Sequence, residues 1–436
     1  MKPVQIGLLG LGTVGQGTWS VLERNAEEIT RRAGRGIVIK SAAIRDLGKA
    51  EALGYEPLEL TTATRDIVND PDVDVVVELM GGYEPARSLV LAAIENGKHV
   101  VTANKALIAL HGNEIFEAAR RRGVMVAFEA AVAGGIPIIK AIREGLSGNQ
   151  IQWLAGIING TGNFILTEMR EKGRDFDDVL KEAQALGYAE ADPTFDIDGT
   201  DAAHKLTILA SIAFGIPLQF DKIFKEGISV VSQADVGYAE ELGYRIKHLG
   251  IAQRSDEGIE LRVHPTLIPE QRLIANVNGV MNAVLVNSDA VGSTLYYGAG
   301  AGSEPTASAV VADIVDVVRT LTSDPNNRVP HLAFQPDSLS DQAVLPIEAI
   351  QSSYYLRLRA ADRAGVMADV TRILGNHDIS IEAILQKEPA EGEDTVPVIL
   401  LTHRVQEGQV NSALSRIREL DSIADDVVRL RVESLN

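Results

Sequence analysis

The chain reads as an α/β protein in three parts: a doubly wound parallel sheet, then a mixed α+β region, then a small βαββαβ unit. Three observations carry this. Apolar strands alternate with helix-like segments through residues 1–132. That rhythm stops near residue 133, where helices and strands no longer alternate. After a Pro-, Asn- and Ser-rich stretch at 322–343 an alternating pattern restarts. Strand–helix alternation argues for a parallel sheet with helices on both faces.

In order, "VQIGLL" (4–9) is a buried strand, followed by a glycine-rich turn and a helical pattern over 13–33. "GIVIKSAAI" (36–44) and "VDVVVEL" (73–79) are further strands, the latter followed by a turn and a helix ending at Gly97. "KHVVTANK" (98–105) is a strand, 106–122 a helix and "VMVAFEA" (124–130) a strand. "GGIPIIKAIREGL" then reads as helix and "IQWLAGIING" as strand, with helices near 163–172, 176–186 and 200–214. The stretch 222–300 mixes both types, and "GAGAG" (298–302) leads into a long apolar helix. In the tail, "YYLRLRA", "ISIEAILQKE", "TVPVILLTH" and "ADDVVRLRV" are strands, and 365–377 and 407–419 helices. That order is ferredoxin-like.

Composition narrows the function. With 436 residues, 45% of them apolar, the chain can bury a large core. Its formal charge of −19 repels phosphate backbones and anionic membranes, so nucleic acid and membrane partners are not expected. There is no cysteine, which excludes disulfides, zinc–thiolate sites and cysteine nucleophiles. No run reaches the ~18 apolar residues of a membrane span. A cytoplasmic protein is expected.

"GLGTVG" supplies Gly10, Gly12 and Gly15 as G-x-G-x-x-G between a strand and a helix. In that frame the glycines permit a tight turn, and backbone N–H groups of Thr13 and Val14 open the helix toward a pyrophosphate. This is a Rossmann-type nucleotide-binding start. The second strand ends "AAIRD". Arg45 stands near the place where an NAD site usually has Asp or Glu, and it could pair a 2′-phosphate bidentately. NADP, or dual use, is favoured over strict NAD; a solvated arginine is the plainer reading.

"GYAEADPTFDIDGTDAAHKL" (187–206) concentrates five carboxylates before His204 and Lys205. A calcium loop with Gly199 as its sixth residue would have Lys205 in twelfth place, where a bidentate Glu is needed. That reading fails. A helix beginning near Thr200, with Thr200 as its cap, puts Asp201 and Lys205 four apart on one face. Taken alone, this is a surface pair worth under ~1 kcal/mol. His204, about 100° round the helix, reads as solvated or capping. Asp192, Asp196 and Asp198 read as caps, turns or solvent-facing groups.

The same stretch resembles the signature region of homoserine dehydrogenases. "GLGTVGQG" (10–17), "VVTANKALIA" (100–109), "EAAVAGGIPII" (129–139), "INGTGNFIL" (158–166) and "GAGAG" resemble that family's other blocks in the same order. The resemblance covers residues 1 to about 322. The tail resembles an ACT domain, an amino-acid-sensing module, with Ala364 in "DRAGVMADV" (362–370) where proline is common. Gly162 stands where many members have threonine.

The resemblance implies a Rossmann domain over 1–132, completed by the helix at about 302–321. It implies a substrate-binding, catalytic and dimerisation domain over 133–301, a linker over 322–347 and an ACT domain over 348–436. It implies NAD(P)H-dependent reduction of L-aspartate 4-semialdehyde to L-homoserine in threonine and methionine biosynthesis. Lys205 would donate the proton, Asp201 would orient it or a water, and Lys105 would lie near the nicotinamide. Glu190 would bind the substrate ammonium, with Thr161 and Tyr188 lining the pocket. Gly10, Gly12, Thr13, Val14, Gly15, Arg45, Lys105 and Gly302 would hold the cofactor. Glu129, Val132, Gly134 and Ile136 would offer oxygens to a monovalent cation, with sodium expected; a tight turn explains the two glycines equally well. A homodimer or homotetramer is implied, as is feedback by threonine or a related amino acid. Removal of 345–436 is then expected to abolish inhibition and spare turnover. The alternative is a non-enzymatic NAD(P)- and amino-acid-responsive regulator, which would need neither Lys105, Glu190 nor Lys205. Cysteine-dependent aldehyde oxidation is closed.

Overall fold

The computed structural model describes residues 2–48, 58–387 and 394–436. The chain divides into two compact units. One comprises Met1–Leu154, Ala203–Asp221 and Met281–Gln342, the other Ala155–Ala202, Lys222–Val280 and Ala343–Asn436. No helix among the described residues is long and apolar enough to cross a membrane.

The first unit is built on six parallel strands: β1 (Val4–Leu9), β2 (Ile37–Ala43), β3 (Glu59–Thr61), β4 (Val75–Glu78), β5 (His99–Thr102) and β6 (Val126–Ala127). Their order is β3-β2-β1-β4-β5-β6, which reverses direction between β1 and β4. β1 and β4 are buried almost throughout, as strands covered on both faces must be. Short β3 and the helix Thr64–Asn69 have no counterpart in the sequence reading, because three and six residues are too few to show a period.

Three expected elements differ, each for a visible reason. The single helix over 13–33 is two, Thr13–Arg24 and Ala26–Ala33, broken at Asn25, whose backbone (φ −108, ψ 19) is not helical. The strand 124–130 pairs only over Val126–Ala127, because the Glu129 N–H donates to Asp313 Oδ2 (2.7 Å) and the chain turns. Lys105 is not at a strand end but is the first residue of the helix Lys105–Arg122.

The helix Ser303–Thr320 buries Ala307, Val310, Ile314 and Val317 in the same core as Val4, Ile6, Leu22 and Val75. Residues 322–342 are an ordered strap on this unit rather than a loose linker. Arg328 Nη1 donates to the Gly123 carbonyl (2.8 Å), and His331 stacks on Phe116 with ring centroids 4.8 Å apart. Ser340 N–H donates to the Gly215 carbonyl (2.6 Å).

After β7 (Ile151–Ile157) come the helices Gly160–Lys172 and Phe176–Ala185, then β8 (Phe224–Lys225) and the helix Gln233–Glu241. β9 (Tyr244–Arg254) and β10 (Ile259–Pro269) form an antiparallel pair; β11 (Met281–Ser288) and β12 (Gly292–Ala299) form a hairpin of the first unit. The tail then runs β13 (Gln351–Ala361), helix Val366–Asn376, β14 (Ile381–Gln386), β15 (Thr395–Thr402), short β16 (Val405–Gln406), helix Glu407–Arg418 and β17 (Ile423–Val432). The last residue of the expected strand "ISIEAILQKE", Glu388, lies outside the described residues. The strand order β17-β13-β15-β14 is the ferredoxin-like one.

This sheet continues into the preceding region, because β17 pairs in parallel with β10 at Thr266↔Arg431 and Leu267↔Val432. One face carries the tail's own helices over Tyr354, Leu356 and Val398. The other packs Tyr355, Ile399, Leu401 and Leu430 against Ile165, Val179, Val236 and Ala239 from the three helices named above. Within that second layer Asp235, fully buried, takes two bonds from Arg357 (2.6 and 3.1 Å) and one from the Tyr355 hydroxyl (2.9 Å). Burial pushes the Asp235 carboxyl up, but Arg357 and Ser232 outweigh it and hold it below the usual range.

The tail is therefore not a detachable module. Stripping four large apolar side chains from one core forfeits roughly 6–12 kcal/mol, at ~1.5–3 kcal/mol each. That is comparable with a domain's whole stability. Removing 345–436 is expected to lower the melting temperature sharply or cause aggregation; a truncated chain that melts within a few degrees of the full one would contradict this. Asp235 sets a second expectation. Its carboxyl sits lower folded than unfolded, so its contribution is present above the unfolded value, about pH 4, and is lost as pH falls through the folded one. Stability should fall more steeply on acidification in the wild type than in Asp235→Asn; equal slopes in denaturation titrations between pH 6 and 3 would refute the assignment.

Candidate active site

In the first unit the glycine turn is shaped by contacts. Gly10 has φ +104, and a Cβ there would lie 2.9 Å from the Leu79 carbonyl. A Cβ on Gly15 would lie 2.3 Å from the Gly10 carbonyl, which fixes the helix against the strand end. At Gly12 a Cβ would meet nothing within 4 Å, so this backbone faces open space. Gly12 caps Thr13–Arg24 without any side-chain bond, leaving the first N–H groups of the helix to a ligand. Gly302 joins this turn: Ser303 Oγ donates to the Thr13 carbonyl (2.8 Å), and a Cβ on Gly17 would lie 2.6 Å from the Ser303 carbonyl. Two helix N-termini thus meet at one place, and Arg45 is exposed just past the end of β2. These residues fit a dinucleotide.

Lys105 is positioned by a chain of bonds that starts at buried Glu78. Thr102 Oγ1 donates to Glu78 Oε2 (2.7 Å) and accepts from the Asn104 N–H (3.0 Å). Asn104 caps the helix by accepting from the Leu107 N–H (3.1 Å), and its amide donates to the Gly82 carbonyl (2.7 Å). Burial pushes the Glu78 carboxyl above the usual range, against the bonds from Thr102, Met80 and Gly81. The "TANK" stretch is therefore a scaffold for its last residue. Glu78 was not singled out from sequence; its signal is a lone carboxylate closing the run "VVVE".

Glu129 is buried, and its two oxygens accept from the N–H groups of Ile139 (2.9 Å) and Lys140 (2.8 Å). Burial, then the charge of Asp313, pushes it up to about 7; burial likewise raises Asp313 to about 6 against the pull of Lys140. The Lys140 ammonium already stands among these carboxyls, 3.5 Å from Asp313 Oδ1 and 2.5 Å from Asp316 Oδ2. The carbonyl of Ile136 already accepts from Ile138 N–H at 2.7 Å. The glycines have a packing reason: a Cβ on Gly134 would lie 2.6 Å from Thr306 Oγ1, and one on Gly135 2.6 Å from the Ala299 carbonyl. No group of three or more His, Asp or Glu side chains that could hold a metal occurs among the described residues, so any cation here would rely on backbone oxygens.

In the second unit the organising residue is Asn159. Its oxygen caps the helix Gly160–Lys172 by accepting from Gly162 N–H (2.7 Å), and its amide donates to Asp196 and Asp201 (2.8 Å each). Thr161 Oγ1 donates to the Tyr188 carbonyl (2.6 Å), and the half-exposed Tyr188 ring meets Phe164 edge-on at 5.1 Å. Glu190 lies two residues further along this loop and is exposed. The acidic stretch is mostly structural. Asp192 accepts from the N–H and hydroxyl of Thr194 (3.1 and 2.6 Å). Asp198 accepts from Thr200 N–H and Lys225 Nζ (2.8 and 2.7 Å). Gly199, at φ +88, fits beside His248 and Val263.

Three expectations are corrected here. Asp198, not Thr200, satisfies the first free N–H of the helix Thr200–Phe214. Asp201 and Lys205 do not form a solvated pair: Asp201 is 7% exposed and Lys205 half-buried. His204 is not solvated either; it is 2% exposed and stacks on Phe220 at 4.5 Å. Asn159 was missed, although an Asn ahead of "GTGN" is a helix-cap signal. Asn159→Ala should cost ~2–4 kcal/mol, a lost cap plus two carboxylates left short of a donor. Asn159→Asp should cost more, by bringing a third carboxylate against two others; an Asp variant as stable as the Ala variant in thermal denaturation would contradict this arrangement.

Comparison with known proteins bears on the same residues. The family model for the homoserine dehydrogenase NAD-binding domain matches residues 10–129, that for homoserine dehydrogenase matches 137–315, and the ACT domain model matches 354–422. The chain is 69% identical to a homoserine dehydrogenase of Pseudomonas aeruginosa over 100% of both sequences. It superposes on the crystal structure of a homoserine dehydrogenase from Thiobacillus denitrificans with a TM-score of 0.96 and 68% identity, covering 100% of this chain and 99% of that one. A hyperthermophilic archaeal homoserine dehydrogenase in complex with NADPH matches with a TM-score of 0.62 and 27% identity, covering 72% of this chain and 98% of that one. The match to the catalytic part, beyond the nucleotide-binding part, sets aside a purely regulatory role. The chain belongs to the homoserine dehydrogenase family of NAD(P)-dependent oxidoreductases and carries a C-terminal ACT domain.

Proposed function

We propose that the chain reduces L-aspartate 4-semialdehyde to L-homoserine, with NADPH preferred over NADH, and that Lys205 is its proton donor. The observation that carries this reading is the placement of a buried carboxylate, Asp201, and a half-buried ammonium, Lys205, one turn apart on the helix Thr200–Phe214. Such a pair in a partly dry setting acts more strongly than the same pair in water. The reduced nicotinamide, when bound, supplies the hydride to the aldehyde carbon.

The chain's own groups then have separate tasks. Lys205 delivers a proton to the developing alkoxide, directly or through one water. Asp201, anchored by Asn159, orients Lys205 or that water. Lys105, held at its helix start by Asn104, adds positive charge near the reacting oxygen. Glu190 receives the substrate ammonium, and Thr161 and Tyr188 line the pocket beside it. Gly10, Gly12, Thr13, Val14, Gly15 and Gly302 hold the pyrophosphate, and Arg45 pairs a 2′-phosphate. A monovalent cation, sodium for preference, takes oxygens from Glu129, Val132, Gly134 and Ile136. The ACT domain receives an amino-acid effector, threonine first, and the protein works as a homodimer or homotetramer. β17 already pairs with β10, so among the described residues the edge that the ACT strands offer to a second copy is β14.

Lys205→Ala should lower kcat by ~10²–10⁴, the scale of a lost acid–base group. NADPH binding should be unchanged. The check is NADPH oxidation with aspartate semialdehyde alongside a fluorescence titration of NADPH; near-wild-type turnover would remove Lys205 from the role.

A further inference from the structure

Residues 224–227 touch the start of the helix Thr200–Phe214 and also the last strand of the chain. Toward the helix, Lys225 Nζ donates to Asp198 Oδ2 (2.7 Å) and to Thr200 Oγ1 (2.6 Å). Asp198 in turn accepts from the N–H and the hydroxyl of Thr200 (2.8 Å each). A Cβ on Gly227 would lie 2.4 Å from the Ile197 carbonyl, so the two backbones are in direct contact. Asp201 is the next residue after Thr200, and Lys205 follows one turn later.

Toward the last strand stands Arg431 of β17, 1% exposed. Its Nη1 donates to Glu226 Oε2 (3.0 Å), and its guanidinium lies over the Phe224 ring, 4.8 Å from the centroid. Glu407 anchors it, accepting from Nε (2.8 Å) and from Nη2. Phe224 and Glu226 are alternate residues of an extended segment and share a face, so Lys225 points the opposite way. β8 is too short to fix that orientation by itself. It pairs with β10 at Arg262↔Phe224 and Val263↔Lys225, with a bond from the Glu226 N–H to the Val263 carbonyl (2.8 Å). A slip of one residue would send Lys225 to the other face. Arg431 grips both neighbours of Lys225 and removes that freedom.

We propose that Lys225 and Arg431 are positioning residues for the reduction: Arg431 fixes which way the strip faces, and Lys225 fixes the helix start that carries Asp201 and Lys205. The inference rests on the reading of Lys205 as proton donor. It makes the last strand of the chain a part of turnover itself, whether or not any effector is present.

The test is steady-state kinetics of the full-length protein without added amino acids, with a melting temperature and an NADPH fluorescence titration for each variant. The Lys225 side chain is 37% exposed, so its replacement should leave the fold intact. Lys225→Gln should lower kcat by ~10–100-fold, the scale of a misplaced reacting group, with NADPH affinity unchanged. Lys225→Arg keeps the cation and should restore most of the loss. Arg431→Lys keeps a charge in the buried site but cannot fork between Glu226 and Glu407, and should lower kcat in the same way. The double variant Lys225→Gln/Arg431→Lys should lose no more than the worse single one, because both act through one strip. Wild-type kcat in Lys225→Gln, or losses that multiply in the double variant, would overturn the positioning role. Lys205→Ala is measured alongside. If Lys205→Ala is impaired and Lys225→Gln is not, the donor reading stands and the positioning role falls. If Lys205→Ala turns over normally, the donor reading falls and this inference with it.

Discussion

The pairing of Thr266–Leu267 with Arg431–Val432 is the constraint on which the second unit depends. It joins the ACT strands to β10, in a sheet covered on one face by the tail's own helices and on the other by the three helices of the preceding region. A strand buried on both sides cannot alternate freely between apolar and polar residues. That is why Tyr354, Tyr355 and Leu356 are consecutive and all fully buried. The junction is also strongly ionic: Arg431 and Glu407 pair at 1% exposure each, and Arg262 is equally buried. Such pairs add little net stability, but removing one partner costs ~3–5 kcal/mol. They make this register of the two sheets hard to replace with another.

The acidic stretch at 187–206 shows the same economy on a smaller scale. Five carboxylates in twelve residues would repel one another if left to themselves. The fold disposes of three through local turns and a single amide: Asp192 on Thr194, Asp198 on Thr200 and Lys225, Asp196 on Asn159. Asp201 shares the Asn159 amide and so is fixed in place beside the helix start. Glu190 and Asp192 are both exposed on the loop, Asp192 held there by Thr194.

Much of this was legible in the sequence, where a long period or a stereochemical demand leaves a mark. Strands β1, β2 and β4, the helix Thr200–Phe214 and the βαββαβ tail all follow from apolar patterning. Gly10, Gly15 and Gly199 mark backbone that no side chain could share. Illegible were features set by distant partners. β6 is cut short by Asp313, nearly two hundred residues away. His204 looked solvated because nothing nearby in sequence announces Phe220. The strap at 322–342 has a linker's composition, yet His331, Phe334 and Ser340 each meet a residue from elsewhere in the first unit.

The helix Ser303–Thr320 sets an order on how the molecule comes into being. It closes the core over Val4, Ile6 and Leu22 and brings Ser303 against Gly17, contacts that span nearly three hundred residues of chain. Contacts of such separation are slow to form. During synthesis at ~5–20 residues per second, the leading strands therefore wait on the order of half a minute for the helix that covers them. Through that interval the apolar floor of the sheet is open and the nucleotide cradle lacks one of its two helix ends. The core of the N-terminal sheet is therefore completed only once residues 303–320 have been made.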